Sequence, residues 1–304
     1  MSARAASSAL ILSLLIASGF FRPAQAGPWL PAPGEYYTEL RGGLFSANTY
    51  RNDTGERISL GGEWEERSLL GTVELGWKKR VSVVMAAPFV SATRLDAVGS
   101  TTSTGLEDFR FGLRFGLLQG PTALAAELDW QAPMGYSRES ALFADSPRGD
   151  GLQQLSLSLL LGKPIAKRGF LQLGAGVGSR YLSITHKGDE ASADGPNAAA
   201  DMWSTPFLAS ADLGLWLTRS LLVGARYSGT MTLSHGVLSP ERTLHLAGPV
   251  MVWRVDDRLD LTAGSWSTAM ARNTLHYDQA YVALTFKQTR LNRLQGFLGG
   301  TKAP

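Results

Sequence analysis

The chain has 304 residues, of which 44% are hydrophobic and 18% charged, with a formal net charge of +3 at pH 7. Because the charge is small and forms no strongly basic or acidic patch, the composition argues against nucleic acid as a partner. Cysteine is absent, which excludes thiolate metal sites and cysteine nucleophiles.

The first 26 residues have the pattern of a secretory signal peptide. Arg4 supplies the positive n-region, residues 9–21 (ALILSLLIASGFF) form an apolar h-region, and Ala24-Gln25-Ala26 is a small-x-small cleavage site. The apolar run is short for a membrane-spanning helix, and no later run reaches the length of about 18 residues that such a helix needs. We therefore predict export of a mature chain that begins at Gly27. The alternative is an N-terminal membrane anchor.

After the signal, apolar residues alternate with polar or small residues for most of the length, which is the period of a β-strand. The alternating segments are long enough to cross a bilayer as tilted strands, which takes about 9–11 residues. We predict twelve strands, at 35–46, 65–78, 81–92, 106–118, 121–134, 152–162, 170–183, 205–217, 221–233, 243–255, 259–270 and 277–287.

The connections between these strands alternate in length. Short turns are predicted at Lys79-Arg80, Gln119-Gly120, 163–169, 218–220 and Asp256-Asp257. Longer polar loops are predicted at 47–64, 93–105, 136–150, 186–204, 235–242 and 271–276. This alternation is typical of outer-membrane barrels. We therefore predict an all-β fold: an antiparallel up-and-down transmembrane β-barrel of about 12 strands, with short periplasmic turns, longer extracellular loops and both barrel termini on the periplasmic side.

Hairpin registers indicate which strand face meets lipid. With Leu118 opposite Pro121, one face of the first hairpin is apolar, and the other pairs Arg110 with Asp129. A second hairpin pairs Asp212 with Arg226 in the same way, and a third sets Leu157, Leu159 and Leu161 against Ala175, Leu173 and Leu171. A soluble lipocalin-like barrel would instead present an outer face rich in Lys and Glu. An uncharged outer face and an inner face of small and charged residues favour a membrane barrel with a polar lumen.

Ten polar side chains are predicted to line this lumen: Glu74, Asp108, Arg110, Arg114, Glu127, Asp129, Gln131, Arg180, Asp212 and Arg226. In this register Arg114 lies diagonal to Glu127, within reach of a cross-strand ion pair. In one interpretation these residues set pore size and selectivity. In the other, their salt bridges brace a closed barrel, and the sequence leaves both open.

Enzyme signatures are weak. Ser234-His235 and His276 near Asp278 come nearest to a hydrolase pair, and both would lie at the outer rim. No Glu-x-x-His motif, carboxylate-rich calcium loop or phosphate-binding loop occurs. The GAGVG stretch, residues 174–178, lies within strand alternation, where its glycines would leave room in the lumen. We predict a protein that is not an enzyme and uses neither metal nor cofactor.

The segment GLEDFRFGLRFGLLQGPTALAAELDWQAPMG resembles a pattern of the phenol meta-pathway transporter family, outer-membrane β-barrels of Gram-negative bacteria. The resemblance rests on Gly105, Asp108, Gly112, Gly120, Pro133 and Gly135. The stretch DGLQQLSLSLLLGKPI, residues 150–165, is similar to the next strand of that family. Membership would imply passive uptake of hydrophobic or aromatic small molecules, and it transfers no catalytic residue.

The leading functional hypothesis is an outer-membrane channel or transporter for small hydrophobic or aromatic molecules. The alternatives are an outer-membrane hydrolase acting on lipid or peptide, and a non-conducting structural or adhesive barrel. The predicted partners are outer-membrane lipid, a small-molecule solute and the barrel-assembly machinery. The barrel is predicted to span residues 27–288, and residues 289–304 would form a periplasmic tail.

Overall fold

The computed structural model describes residues 27–96, 99–134, 153–165, 168–181, 203–235 and 241–288. The predicted signal, the predicted tail and the predicted loop at 136–150 lie outside these residues, as do most of the loops at 186–204 and 235–242. Within the part that is described, no helix is long and apolar enough to cross a membrane.

The described residues form fourteen β-strands that belong to one antiparallel sheet. They are β1 Tyr36–Arg51, β2 Arg57–Lys78, β3 Val81–Asp96, β4 Gly99–Leu106, β5 Asp108–Leu118, β6 Ala123–Pro133, β7 Gln153–Ile165, β8 Gly169–Tyr181, β9 Trp203–Trp216, β10 Leu221–His235, β11 Thr243–Arg254, β12 Leu259–Arg272, β13 Thr274–Leu275 and β14 Asp278–Gln288.

The sheet closes on itself because β1 pairs with β2 on one side and with β14 on the other. Two short strands do not add to the circumference. β4 and β5 both pair with β3, and β13 and β14 both pair with β1. The result is a closed antiparallel barrel of twelve strands, which confirms the predicted fold. Each of the twelve strands of the barrel wall pairs on both sides, so closure leaves this part of the described sheet without an open edge.

The two ends of the barrel differ. At the turn end, short connections join β2 to β3, β5 to β6, β7 to β8, β9 to β10 and β11 to β12. Tyr36 pairs with Gln288 there, so the barrel begins and finishes at this end, as predicted. The opposite end, the loop end, holds the remaining connections.

The prediction of a polar loop at 47–64 is wrong, because strands occupy most of it. β1 continues to Arg51 and pairs with Arg57 at the start of β2. A tight turn joins them, in which the Asn52 side chain accepts a hydrogen bond from the Glu56 N–H at 2.7 Å. In this part of β2 the apolar Ile58 and Leu60 stand among glycines and charged residues, so the alternation that reveals a strand is weak there.

The predicted loop at 93–105 is wrong for the same reason. β3 and β4 remain paired as far as Asp96 and Gly99. The side chains of Thr93 and Thr102 are hydrogen-bonded across this ladder at 3.0 Å. The predicted loop at 271–276 likewise contains the end of β12 and all of β13.

Side chains alternate between the lumen and the outer surface. Along β7, Leu155, Leu157, Leu159 and Leu161 are exposed outward, whereas Ser156 and the other intervening residues are buried. On β5, β6, β8 and β9 the outward positions carry no charged side chain. On these four strands an uncharged belt of apolar residues therefore faces outward, and the charged side chains face the lumen.

The predicted register of the β5–β6 hairpin is displaced by two residues. Arg114 lies opposite Glu127 rather than opposite Ala125, and Asp129 lies opposite Gly112. Because Pro121 has no N–H to give to the ladder, the turn is wider than the predicted two residues. A displacement of two keeps every side chain on its predicted face, since the period of a strand is two.

The other two hairpins test the same reasoning. In the β7–β8 hairpin Leu157 pairs with Val177 instead of Ala175, again a displacement of two residues. The ladder there continues to Ile165 because the turn is shorter than predicted. In the β9–β10 hairpin, Asp212 lies opposite Arg226, as predicted.

Engineered disulfides will distinguish the two β5–β6 registers, since the chain has no native cysteine. Directly opposed positions lie about 4.5–5.5 Å apart at Cβ and diagonal positions about 7–8 Å. We expect the double variant Phe115→Cys/Ala126→Cys to oxidise, and the control Phe115→Cys/Leu124→Cys to keep its free thiols. Mass tagging of thiols after denaturation measures this, and preferential oxidation of the control pair would contradict the register.

Candidate functional site: the barrel lumen

Five charged side chains meet inside the barrel towards the turn end, and we call them the ionic cluster. They extend from β2, β5 and β6, and none is more than 8% exposed. The members are Glu74, Arg110, Arg114, Glu127 and Asp129.

Arg114 is the centre of the ionic cluster. Its Nη1 lies 2.8 Å from both carboxylate oxygens of Glu74, and its Nη2 lies 2.6 Å from Oε2 of Glu127. Glu74 also accepts a hydrogen bond from the Ser82 hydroxyl at 2.7 Å. One guanidinium thus joins β5 to β2 and to β6 across the inside of the wall.

Arg110 completes the ionic cluster on the side nearer the loop end. Its Nη2 donates to Oε1 of Glu127 at 2.8 Å, and its Nε donates to Asp129. The predicted Arg110–Asp129 pair therefore forms, although the two residues are diagonal neighbours. Three carboxylates share two guanidinium groups, so each charge inside this part of the lumen has an opposite partner.

The residues that follow the predicted cleavage site enter the lumen at its turn end. The Gly27 carbonyl accepts a hydrogen bond from Nη1 of Arg114 at 3.1 Å. Gln119 donates from Nε2 to the Pro28 carbonyl at 3.1 Å, and Trp29 donates from Nε1 to the Gly120 carbonyl at 3.0 Å. We call residues 27–32 the N-terminal segment.

Two inward glycines make room for the N-terminal segment. A Cβ on Gly76 would lie 2.1 Å from the Ala32 carbonyl oxygen, and a Cβ on Gly162 would lie 2.4 Å from Cγ of Pro28. Both distances are shorter than a carbon atom allows, so only glycine fits at these positions of β2 and β7. The segment reaches from one wall of the lumen towards the other and narrows the passage at the turn end.

The remaining residues that the sequence placed in the lumen lie outside the ionic cluster. Gln131 donates to Asp108 at 2.9 Å, and Nε of Arg180 donates to Gln154 at 3.2 Å. Both contacts lie towards the loop end of the barrel. Asp212 and Arg226 lie on β9 and β10, where the separation between Oδ1 and Nε is 3.4 Å.

A second polar group, the central cluster, contains residues that sequence reasoning missed. Arg41 on β1 is 2.6 Å from Glu39 and lies over the ring of Tyr281, 4.9 Å from its centroid. The Tyr281 hydroxyl accepts a hydrogen bond from Nη1 of Arg226 at 3.3 Å, although two strands separate β10 from β14. Glu39 and Arg41 are two residues apart on one strand, so the sequence pattern could have placed both side chains on the same face.

Nearer the loop end, four inward side chains form a row across four neighbouring strands, which we call the aromatic row. In order around the wall they are Glu66, Phe45, Gln279 and Trp266, each directly opposite the next in the ladder. Their exposures lie between 4% and 8%. Sequence reasoning missed this row because two of its members come from β1 and β2 and the other two from β12 and β14, which only closure of the barrel brings together.

Of the two candidate hydrolase arrangements, Ser234 with His235 does not form a pair, and His276 contacts Arg57. Ser234 and His235 are consecutive in β10, so their side chains point to opposite faces. His276 lies between β13 and β14, where its Nε2 is 2.5 Å from Nη2 of Arg57. Burial and the positive charge of Arg57 lower the pKa of His276 below its ordinary value. Among the described residues, no group of three or more metal-ligating side chains comes together.

Comparison with solved structures supports the fold. An outer-membrane channel from Pseudomonas putida F1 is similar with a TM-score of 0.68 at 11% identity, over 88% of this chain and 100% of that chain. The β domain of the Bordetella autotransporter BrkA is similar with a TM-score of 0.52 at 12% identity, over 84% of this chain and 100% of that chain. No family model and no curated protein matches the sequence. The chain therefore has the fold of an outer-membrane β-barrel.

Replacing Arg114 by Met will destabilise the barrel strongly, because Glu74 and Glu127 lose their shared counter-ion while remaining buried. Breaking a buried ion pair on one side costs about 3–5 kcal/mol. The control is Arg67→Met, which removes an exposed partner of Glu65 at 3.9 Å and should cost about 0–1 kcal/mol. Urea unfolding in detergent measures both, and equal losses would contradict the role of the ionic cluster.

The pKa of His276 provides a separate test at the loop end. We expect its NMR titration midpoint below the ordinary value of about 6.5, and we expect Arg57→Gln to move it upward. Since the unfolded chain binds this proton more readily, stability from the neutral imidazole is present above about pH 6.5 and declines as pH falls to the folded pKa. A midpoint above 6.5 in the unmodified protein would contradict the contact.

Proposed function

We propose that the protein is an outer-membrane barrel that acts as a passive channel for small hydrophobic or aromatic molecules. The observation that carries the proposal is the division of the wall into an uncharged outer face and a charged, hydrogen-bonded inner face. Such a surface is compatible with lipid outside and with a polar lumen inside. The lumen also contains aromatic side chains, which a purely aqueous pore would not need.

Two similarities to other proteins favour a channel over a barrel with another function. The Pseudomonas putida protein that shares the fold is described as an outer-membrane channel. The sequence between Gly105 and Gly135 resembles the phenol meta-pathway transporter family, which suggests uptake of aromatic compounds. In this proposal the polar residues predicted from the sequence set the width and selectivity of the passage.

The proposal includes a location and an orientation. The signal-like N-terminus directs export, and the turn end of the barrel faces the periplasm, together with the tail at residues 289–304. The loop end faces the outside. Outer-membrane lipid surrounds the apolar belt, and the barrel-assembly machinery inserts the chain.

A non-conducting barrel is the second candidate, because two observations favour it. The ionic cluster satisfies its own charges, and the N-terminal segment narrows the turn end of the lumen. Both features stabilise a closed form. In the channel proposal the same features limit the passage to small molecules.

Reconstitution into liposomes tests the channel directly. We expect the full mature chain to give swelling with a small uncharged aromatic solute and little swelling with a large sugar. Heat-denatured protein serves as the control. Absence of both swelling and single-channel conductance would contradict the channel and leave the non-conducting barrel.

Deleting residues 29–34 should widen the turn end, because Trp29 and the residues after it lie against the inner wall. We expect a clear rise in single-channel conductance with unchanged heat-modifiable migration on gels. A matched deletion in the tail, residues 295–300, should leave conductance unchanged. Equal conductance of both deletions would show that the N-terminal segment does not limit the passage.

A further inference from the structure

Exposed basic side chains are concentrated on three turns at the turn end of the barrel, and we call them the basic rim. They are Lys78, Lys79, Arg80, Lys163, Arg168 and Arg219. The turns join β2 to β3, β7 to β8 and β9 to β10, and no Asp or Glu occurs in residues 77–81, 163–170 or 217–221. The whole chain has a formal net charge of only +3, so the basic rim is a local excess of positive charge.

The charges of the basic rim are not neutralised within the described part of the barrel. The salt bridges between described residues all involve other side chains. Basic residues that reach the lumen at the same end differ, because Arg254 and Lys287 are both ion-paired with Asp260. The basic rim therefore presents its charges to a partner outside the protein.

Lys78 lies on the outer face of the barrel wall. It is directly opposite Val81, which is directly opposite Phe115, a side chain exposed on the outer face. Directly opposed residues share a face of the sheet, so Lys78 faces outward too. The register shift in β2 adds Trp77 beside it, and Nζ of Lys78 lies 4.9 Å from the centroid of the Trp77 ring.

Lys163 has the same orientation on β7. It follows the outward Leu161 by two residues, and alternate residues of a strand share a face. A lysine in such a position covers apolar surface with its stem and extends its ammonium group to the membrane interface. An exposed tryptophan beside a lysine, as at Trp77 and Lys78, is also typical of that interface. These two lysines therefore lie where lipid headgroups meet the barrel.

The backbone holds the basic rim in place and keeps an arginine at a position that favours glycine. Arg80 has φ of 77°, in the left-handed region that is unfavourable for a residue with a long side chain. Its carbonyl accepts a hydrogen bond from the Gly116 N–H at 2.8 Å, and the Arg168 carbonyl accepts one from the Trp216 N–H at 2.7 Å. Neighbouring strands thus fix the turns that carry these charges.

The chemistry of the basic rim matches the phosphate of an anionic phospholipid. Arginine and lysine both form charge-assisted hydrogen bonds with phosphate oxygens. Basic residues beside an anionic membrane surface each strengthen attachment to it. A zwitterionic headgroup carries its own positive group and gains less from them. A soluble anion would not use the apolar wall or the ring of Trp77, so these neighbours favour a lipid.

We propose that the basic rim binds the headgroups of anionic phospholipids in the leaflet at the turn end, with Lys78 and Lys163 at the level of the phosphates. The proposal rests on the outer-membrane location proposed above and is independent of whether the lumen conducts. The lipid shell is therefore anionic on the side of the barrel between β2 and β10.

Lipid titration of the full mature chain, folded in an uncharged detergent, tests the proposal. Dioctanoyl phosphatidylglycerol is the anionic probe, dioctanoyl phosphatidylcholine is the zwitterionic probe, and glycerol 3-phosphate is the soluble one. Native mass spectrometry measures the fraction of protein with each probe bound. We expect phosphatidylglycerol to bind at least about tenfold more tightly than the other two, and its binding to weaken as salt screens the charges.

A matched pair of variants separates the basic rim from positive charge in general. Arg219 belongs to the rim, whereas Arg258 is exposed at the same end on a turn that also contains Asp256 and Asp257. We expect Arg219→Gln to weaken phosphatidylglycerol binding about fivefold and Arg258→Gln to change it less than about twofold. The double variant Lys78→Gln/Lys163→Gln should weaken it more than about tenfold and leave phosphatidylcholine binding unchanged.

Arg80→Gly keeps the test decisive if another variant fails to fold, because it removes a charge and also relieves an unfavourable backbone conformation. We expect it to weaken phosphatidylglycerol binding about fivefold while heat-modifiable migration is retained. Equal affinity for the two lipids, or equal losses in Arg219→Gln and Arg258→Gln, would overturn the proposal.

Two further outcomes identify what has failed. Glycerol 3-phosphate binding as tight as that of phosphatidylglycerol would show a soluble-anion site and overturn the lipid site. Single-channel recording of the same protein tests the channel separately. Conductance without a lipid preference would leave the channel and remove the lipid site, and a lipid preference without conductance would do the reverse.

Discussion

The charges inside the barrel must find partners inside the barrel, and the arrangement of Arg114 shows how this constraint is met. Its guanidinium contacts Glu74 on β2 and Glu127 on β6, and it also holds the Gly27 carbonyl of the N-terminal segment. A buried charge without a partner is far more unfavourable than a pair. The contacts of this one side chain therefore join three wall strands to the N-terminal segment inside the lumen.

The same constraint divides the lumen into regions of different chemistry. Towards the turn end, opposite charges are paired and the N-terminal segment fills space. Towards the loop end, the aromatic row places rings beside an unpaired amide.

Much of the fold could be predicted from the sequence because apolar residues alternate with polar or small residues along most strands. The β9–β10 hairpin was predicted with its register, and the faces of β5 and β6 were correct although their register was not. The predictions of loops and of the β5–β6 register were wrong where this alternation weakens or ends. Beyond Ala47 and Thr93 apolar residues are too few to reveal the strands, and the width of the turn near Pro121 depends on its missing N–H.

The site was predictable only where its members lie within one hairpin. Arg110, Arg114, Glu127 and Asp129 belong to adjacent strands, so the alternation alone places them together. The aromatic row joins residues from β1, β2, β12 and β14, and their proximity depends on closure of the whole barrel. The entry of the N-terminal segment into the lumen depends on Gly76 and Gly162, whose role is visible only once the neighbouring atoms are located.

The central claim is that the uncharged face meets lipid and the opposite face lines the lumen. Quenching of single-tryptophan variants by bilayers of bromine-labelled phospholipid tests it most directly, with seven of the eight tryptophans replaced by Phe. Trp253 is 52% exposed on the outer face and Trp266 is 4% exposed on the inner face. The account predicts strong quenching of Trp253 and weak quenching of Trp266. Equal quenching, or stronger quenching of Trp266, would contradict it.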